Sequence, residues 1–422
     1  MASKSYRVGF VSTRFSGTDG VSLESAKWSD VLTQCGYTCF YFAGESDRPA
    51  ERSRVVPEAH FDHPDIRRIN RDLFDDRRRT PETSHAVHKL WQHLKMALRE
   101  FIRDFQLDLL LVENALAIPM NVPLGLALTE VIAETNIPTI AHHHDFAWER
   151  RRYAVTAADD YLQAAFPPAM SNIHHVVINS FGARQLAYRT GMRSTLIPNV
   201  MDFENPPDAP DDYSASLRQE LGLSPDDVFL LQPTRVVPRK RIERAIELAR
   251  RLHLPSKLVI SHSSGDEGDE YLTYLADYAK VMGVEVIFAA DRFAYYRGRT
   301  TDGRKIYSLA DAYQRADLVT YPSHVEGFGN AFLEAIYYRQ PLLMSTYEIF
   351  RRDIEPKGFE VIGFDEFITR QTIEHARRVL NDRSLAARMV EHNYQLGRQH
   401  YSYAVLRQCL PRLVQQSCQL AF

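Results

Sequence analysis

The chain has 422 residues, of which 45% are hydrophobic and 25% charged, with 19 Gly and 21 Pro; that length suits two domains better than one core, and the composition excludes collagen-like, low-complexity and largely disordered chains. Lys and Arg number 51 against 54 Asp and Glu, a formal net charge of -3, so no global basic field recommends nucleic acid or an anionic membrane as partner. The four cysteines, Cys35, Cys39, Cys409 and Cys418, form no C-x-x-C pair, which argues for the reducing cytoplasm and against structural zinc, and neither a signal peptide nor a transmembrane segment is expected.

Short β-rich runs alternate with helix-length amphipathic segments, the pattern of α/β domains with parallel sheets covered on both faces. Val8–Ser12 reads as the first strand. A polar loop with Gly17 and Gly20 follows, then a helix on which Leu23, Trp28, Val31, Leu32 and Cys35 recur at helical spacing. Arg67–Arg79 interleaves arginine with Asp72, Asp75 and Asp76 and reads as a solvated face. His85–Phe105 is a long helix with one apolar stripe. Further strands are expected at Cys39–Phe42, Leu107–Val112, Thr139–His142, Val176–Ile178 and Thr195–Ile197. Pro198–Asp212, rich in Pro and acidic residues, marks a domain boundary, giving an N-terminal Rossmann-like domain over 1–199 and a C-terminal one over 200–400. The second set of strands reads Val228–Gln232, Lys257–Ser261, Val284–Ala289, Leu318–Tyr321, Pro341–Ser345 and Phe359–Ile362. Two such domains would turn the carboxyl ends of their strands to a central cleft, where open α/β sheets bind ligands.

The strongest chemical signal is Glu326-Gly327-Phe328-Gly329-Asn330-Ala331-Phe332-Leu333-Glu334, after a strand and opening a helix. Gly327 and Gly329 allow a ligand close to the backbone, and the helix start offers free N–H groups to an anion. The ordinary alternative is a surface turn with a capping Glu. The second signal is Thr234–Arg241 at the end of Val228–Gln232, whose Arg235, Arg239, Lys240 and Arg241 could clamp a diphosphate or simply solvate a loop. In Ala141–Arg150, strand alternation puts His142 and His144 on one side and His143 on the other. A core role is the ordinary reading of His142 and His143, and no Cys or helical partner completes a metal set. His144-Asp145 falls at a strand end facing the expected cleft, as does Glu113-Asn114 after Leu107–Val112.

The order and spacing of Arg235, Lys240, Glu326 and Glu334 resemble the retaining family 4 glycosyltransferases of the GT-B fold. The resemblance extends to the Gly17/Gly20 loop, Val177-Ile178-Asn179-Ser180, Ile197–Asp202 and Ala316–Val319. It implies that Arg235 and Lys240 hold the diphosphate of a nucleotide-sugar, with Gly20, Gly327, Phe328, Gly329 and Asn330 also on the donor. It further implies Glu334 on the ribose, Glu326 on the transferred sugar and His144 facing that sugar, with a final helix, 401–422, crossing back to the first domain. The run His142–Arg150 with Glu113-Asn114 and Met120–Pro123 is similar to synthases of glycosyl-glycerate compatible solutes, of the mannosylglucosylglycerate type. This makes Glu113, Asn114 and Arg150 acceptor candidates, while the resemblance implies His144, Asp145, Glu326, Arg235 and Lys240 as the catalytic ones.

The expectation is therefore retaining transfer of a hexose, mannose or glucose, from a GDP- or UDP-sugar to a small hydroxylated acceptor. No cofactor or metal is expected, because no D-x-D triplet occurs and the acidic run Asp266-Glu267-Gly268-Asp269 reads as a solvated loop. Asp19 stands where the family more often has adjacent glycines, and the long polar segment Asp291–Lys305 lies where the base is recognised. A nucleotide-sugar epimerase or a catalytically silent nucleotide-sugar-binding protein would share this architecture. A pyridoxal-dependent phosphorylase lacks an identifiable cofactor lysine, and a dinucleotide oxidoreductase lacks G-x-G-x-x-G after the first strand.

Overall fold

A computed structural model describes residues 5–17, 19–265 and 268–420; of the acidic run, Asp266 and Glu267 lie outside the described residues. The chain forms two compact units, one of residues 1–199 with 403–422 and the other of 200–402.

Unit 1 runs β1 (Arg7–Val11), α1 (Gly20–Gln34), β2 (Thr38–Ala43), β3 (Ser53–Val55), α2 (Pro64–Phe74), α3 (Pro81–Asp104), β4 (Leu109–Glu113), α4 (Val122–Thr135), β5 (Thr139–His143), α5 (Asp159–Ala165), β6 (Ile173–Val177), α6 (Ser180–Thr190) and β7 (Ser194–Leu196). Its seven strands, in the order β3-β2-β1-β4-β5-β6-β7, pair in parallel. Helices cover the faces, so the central strands are apolar on both sides and read as unbroken hydrophobic runs. Side chains supply the starts the helices need: Thr80 accepts from Thr83 N, Asn121 from Leu124 N and Asn179 from Gly182 N. The solvated run Arg67–Arg79 contains most of α2, whose other face buries Ile66, Ile69, Leu73 and Phe74.

Unit 2 runs α7 (Asp212–Ala215), α8 (Leu217–Glu220), β8 (Val228–Gln232), α9 (Glu243–Leu252), β9 (Ser256–Ile260), α10 (Glu270–Met282), β10 (Glu285–Phe288), β11 (Phe293–Ala294), β12 (Gly298–Arg299), β13 (Lys305–Ser308), α11 (Leu309–Arg315), β14 (Leu318–Tyr321), α12 (Asn330–Tyr337), β15 (Leu342–Ser345), β16 (Ile362–Phe364), α13 (Arg370–Asn381) and α14 (Arg383–His400). Its main sheet, β10-β9-β8-β14-β15-β16, is also parallel. The segment 291–305 is not one loop: it holds most of a small sheet, β11-β13-β12, pinned by Tyr213, whose hydroxyl donates to Gly298 O and Ile306 O. The expected strand Phe359–Ile362 begins only at Ile362, because Phe359 is a core plug against Phe332 and Tyr401. The last helix, α15 (Tyr403–Leu420), belongs to unit 1 and packs on α1. Among the described residues, no helix is long and apolar enough to cross a membrane.

Candidate active site

In unit 1 the parallel register of β4 and β5 sets Glu113 opposite His142. That pairing turns two residues 29 apart in sequence into neighbours, and His144, one residue past the end of β5, reaches the same carboxylate. Glu113 Oε2 lies 3.0 Å from His142 Nδ1 and 3.2 Å from His144 Nε2. His142 stacks on Trp28 of α1 at 4.1 Å. His143 points the other way, to His175 at 2.9 Å, where burial keeps both imidazoles neutral.

Beyond the sheet edge, Asn114 takes a left-handed conformation, φ 60°, and its side chain links two neighbours. Its Oδ1 accepts from His144 N and its Nδ2 donates to Asp145 Oδ1, both at 3.0 Å. Arg150 Nε donates to the other oxygen of Asp145. Glu113, an acceptor candidate on sequence grounds, has no exposed surface. It meets imidazoles instead, so any influence on a ligand passes through His144. Burial favours its neutral acid, yet the two imidazoles hold its pKa down at about 2. At His144 burial opposes the charged ring, and the Glu113 carboxylate outweighs it and raises the pKa.

Gly20 is the first residue of α1, and the amides of the next two residues are already taken: Val21 N and Ser22 N donate to Asp19 Oδ1 at 3.1 Å. Arg14 pairs with the same side chain at 3.0 Å. The carboxylate thus fills the place where an incoming anion would meet this helix start.

In unit 2 the loop after β8 carries Arg235, which is exposed, and Lys240, which is buried. Lys240 Nζ donates to Glu326 Oε1 and sits 5.2 Å from the Tyr321 ring centroid, while Arg239 reaches Glu326 Oε2 at 3.4 Å. Burial works against a charged Glu326, but the Lys240 ammonium reverses this and lowers its pKa. The turn that follows requires glycine at 329. Its φ is +117°, and a Cβ there would stand 2.3 Å from Tyr347 Oη. That hydroxyl donates to Phe328 O at 2.6 Å, and the Phe328 ring packs on Tyr401 in the core. Phe328 therefore offers a ligand no exposed ring. Asn330 opens α12, and Glu334, one turn in, accepts a 2.8 Å hydrogen bond from Tyr313 Oη.

The glycosyl transferases group 1 family model matches residues 304–396, which include the Glu326–Glu334 turn. A mannosylglucosylglycerate synthase of Thermotoga maritima is 33% identical over 430 residues, covering 94% of this chain and 96% of that protein. The chain belongs to the group 1 glycosyltransferases. A mannosylglucosylglycerate synthase of Petrotoga mobilis is 31% identical, covering 84% of this enzyme and 86% of its own length. Among solved structures, Anabaena Alr3699/HepE in complex with UDP and glucose aligns with a TM-score of 0.67 at 13% identity, over 97% of this chain and 100% of that one. Sucrose-phosphate synthase from Thermosynechococcus elongatus aligns with a TM-score of 0.66 at 15% identity, over 97% and 98%. At those identities the structural likeness establishes the fold, GT-B.

Three residues of this glycosyltransferase escaped the sequence reading. Tyr313 gives no motif signal, because it meets Glu334 only when α11 packs beside α12. His262, two residues past the end of β9, has its pKa lowered to about 4 by burial, then by Lys240 and Arg235. The hydrogen bond from Val236 N to Ser263 O, 3.0 Å, ties its loop to the basic one. Trp28 read as core and is fully buried, and only the structure shows that it backs His142 by stacking on it. The described residues gather one set of possible cation donors, Glu113, His142 and His144, and ordinary hydrogen bonds account for its spacing.

Proposed function

We propose that this glycosyltransferase moves a hexose, mannose or glucose, from a GDP- or UDP-sugar to a small hydroxylated acceptor of the glycerate class, retaining the anomeric configuration. The observation that carries this reading is the 31% and 33% identity, over most of the chain, to two proteins named mannosylglucosylglycerate synthase. Those names favour mannosyl transfer to glucosylglycerate. Unit 2 is the donor domain and unit 1 the acceptor domain. Arg235 and Lys240 neutralise the diphosphate as its charge develops, aided by amides between Gly327 and Asn330. Glu334, held by Tyr313, takes the ribose, and Glu326, held by Lys240, takes the sugar. Phe328 acts through its backbone, and Gly20 through the loop capped by Asp19.

His144 faces the transferred sugar, while Asn114, Asp145 and Arg150 receive the acceptor, whose carboxylate suits the Arg150 guanidinium. Asp19 at the start of α1 supports an acceptor without a phosphate there. The cations of the protein stand in for a metal, and free thiols at all four cysteines suit the cytoplasm.

The test incubates the purified protein, in EDTA, with GDP-mannose or UDP-glucose and with glycerate or glucosylglycerate, reading products by mass spectrometry. Acceptor-dependent nucleotide release with a hexosylated acceptor supports the proposal. Donor interconversion without acceptor would assign an epimerase, and donor binding without turnover a silent binding protein.

A further inference from the structure

A carboxylate oxygen only accepts hydrogen bonds. Glu113 Oε2 receives two imidazole nitrogens, His142 Nδ1 at 3.0 Å and His144 Nε2 at 3.2 Å, so each of those nitrogens must carry its hydrogen. The tautomers follow. His142 is an Nδ1–H ring, whose Nε2 is buried without a partner, the less costly atom to leave bare because it then carries no hydrogen. His144 is an Nε2–H ring. The stack of Trp28 on His142 and the bond from His144 N to Asn114 Oδ1 fix the surroundings of both rings. Of the cluster, His144 retains exposure, 10% of its side chain against 0% for Glu113 and His142.

We propose that Glu113 is a positioning residue for glycosyl transfer: by accepting the Nε2 hydrogen of His144 it sets that ring's tautomer and plane and leaves Nδ1 as the nitrogen that meets the sugar or the acceptor. The substrate in this statement rests on the hexosyl-transfer reading; the ring state rests on geometry alone. The charged groups that act on His144 are Glu113 of β4, Glu24 of α1 and the adjoining Asp145, all anionic, with His142 as the neighbouring imidazole. Glu24 is itself buried and paired with Lys27 at 3.0 Å. Glu113 is the one of the three anions hydrogen-bonded to the ring, so removing its charge changes His144 most directly.

Two measurements test the proposal. In the wild-type protein without substrate, nitrogen-15 NMR of labelled histidine should show His144 as the Nε2–H tautomer when neutral, with its charged form persisting to higher pH than an ordinary histidine. In kinetics, Glu113→Gln should lower kcat at least tenfold, leave the donor KM within about twofold, and move the acid limb of the kcat profile, set by loss of the His144 proton, to lower pH. Added to His144→Gln, it should cause no further loss. An Nδ1–H His144 in the wild type would overturn the proposal, as would a Glu113→Gln loss that adds fully to the His144→Gln loss. If Glu113→Gln fails to fold, the wild-type tautomer decides the question by itself. A wild type that transfers no hexose would sink the functional reading and leave the NMR result standing.

Discussion

Lys240 and Glu326 form the ion pair on which the donor half of the account depends, and their burial sets the size of its effect. Their side chains are 9% and 11% exposed, so water can do little to solvate either charge alone. Lys240→Met keeps the stem and removes the ammonium, leaving the Glu326 carboxylate with Arg239 at 3.4 Å, an arginine 45% exposed and therefore screened. Breaking a buried pair from one side costs about 3 kcal/mol, and for a unit of this size that is roughly 6–12 °C in Tm. Glu326→Gln leaves the ammonium a neutral carbonyl and the Tyr321 ring, and should cost about 2 kcal/mol. The double variant removes both charges and should lie within about 2 kcal/mol of wild type, a coupling of about 3 kcal/mol. Urea unfolding of the whole protein by far-ultraviolet circular dichroism reads this. Trp28, Trp91 and Trp148 all lie in unit 1, so tryptophan fluorescence monitors the unit that was not altered. Single losses below about 0.5 kcal/mol, or fully additive ones, would show that the pair is solvent-screened and that Lys240 is not what holds Glu326.

Three further outcomes follow from the same contacts. Glu113 has a folded pKa of about 2 against an ordinary 4.5, so its contribution is present above the unfolded value and lost as pH falls through the folded one. Wild-type stability should therefore drop between about pH 5 and 2 more steeply than that of Glu113→Gln, by about 3 kcal/mol, and parallel acid curves would refute the burial of this charge. Gly329→Ala forces a Cβ onto Tyr347 Oη and a strained φ, and should cost about 2–4 kcal/mol in thermal unfolding; an unchanged Tm would mean the turn relaxes freely. Tyr313→Phe deletes the bond to Glu334 and should weaken nucleotide binding about fivefold in calorimetry with kcat nearly intact; lost turnover at normal affinity would move Glu334 away from the ribose.

The α/β class and most strands were legible because buried parallel strands are apolar on both faces; Leu318–Tyr321 agrees residue for residue with β14. Pattern failed where burial came from elsewhere. Phe359 looks like a strand residue but fills a ring cluster, and α4, apolar nearly all round, shows no stripe to read. The basic loop and the Glu326–Glu334 turn stood out because local composition alone marks them. The triad of Glu113, His142 and His144 did not, since its members meet through strand register, which sequence spacing does not encode. Tyr313 and His262 were missed for the same reason: their partners are 21 residues away in one case and on a neighbouring strand's loop in the other.

The configuration of the first product formed tests hexosyl transfer to a glycerate-type acceptor with retention most directly. Proton NMR followed in real time, with GDP-α-mannose and glucosylglycerate as substrates, resolves the new anomeric signal before any exchange. Retention predicts an α-linked hexose on the acceptor, appearing in step with nucleotide release. A β-linked product, or nucleotide release with no hexose on the acceptor, would contradict it.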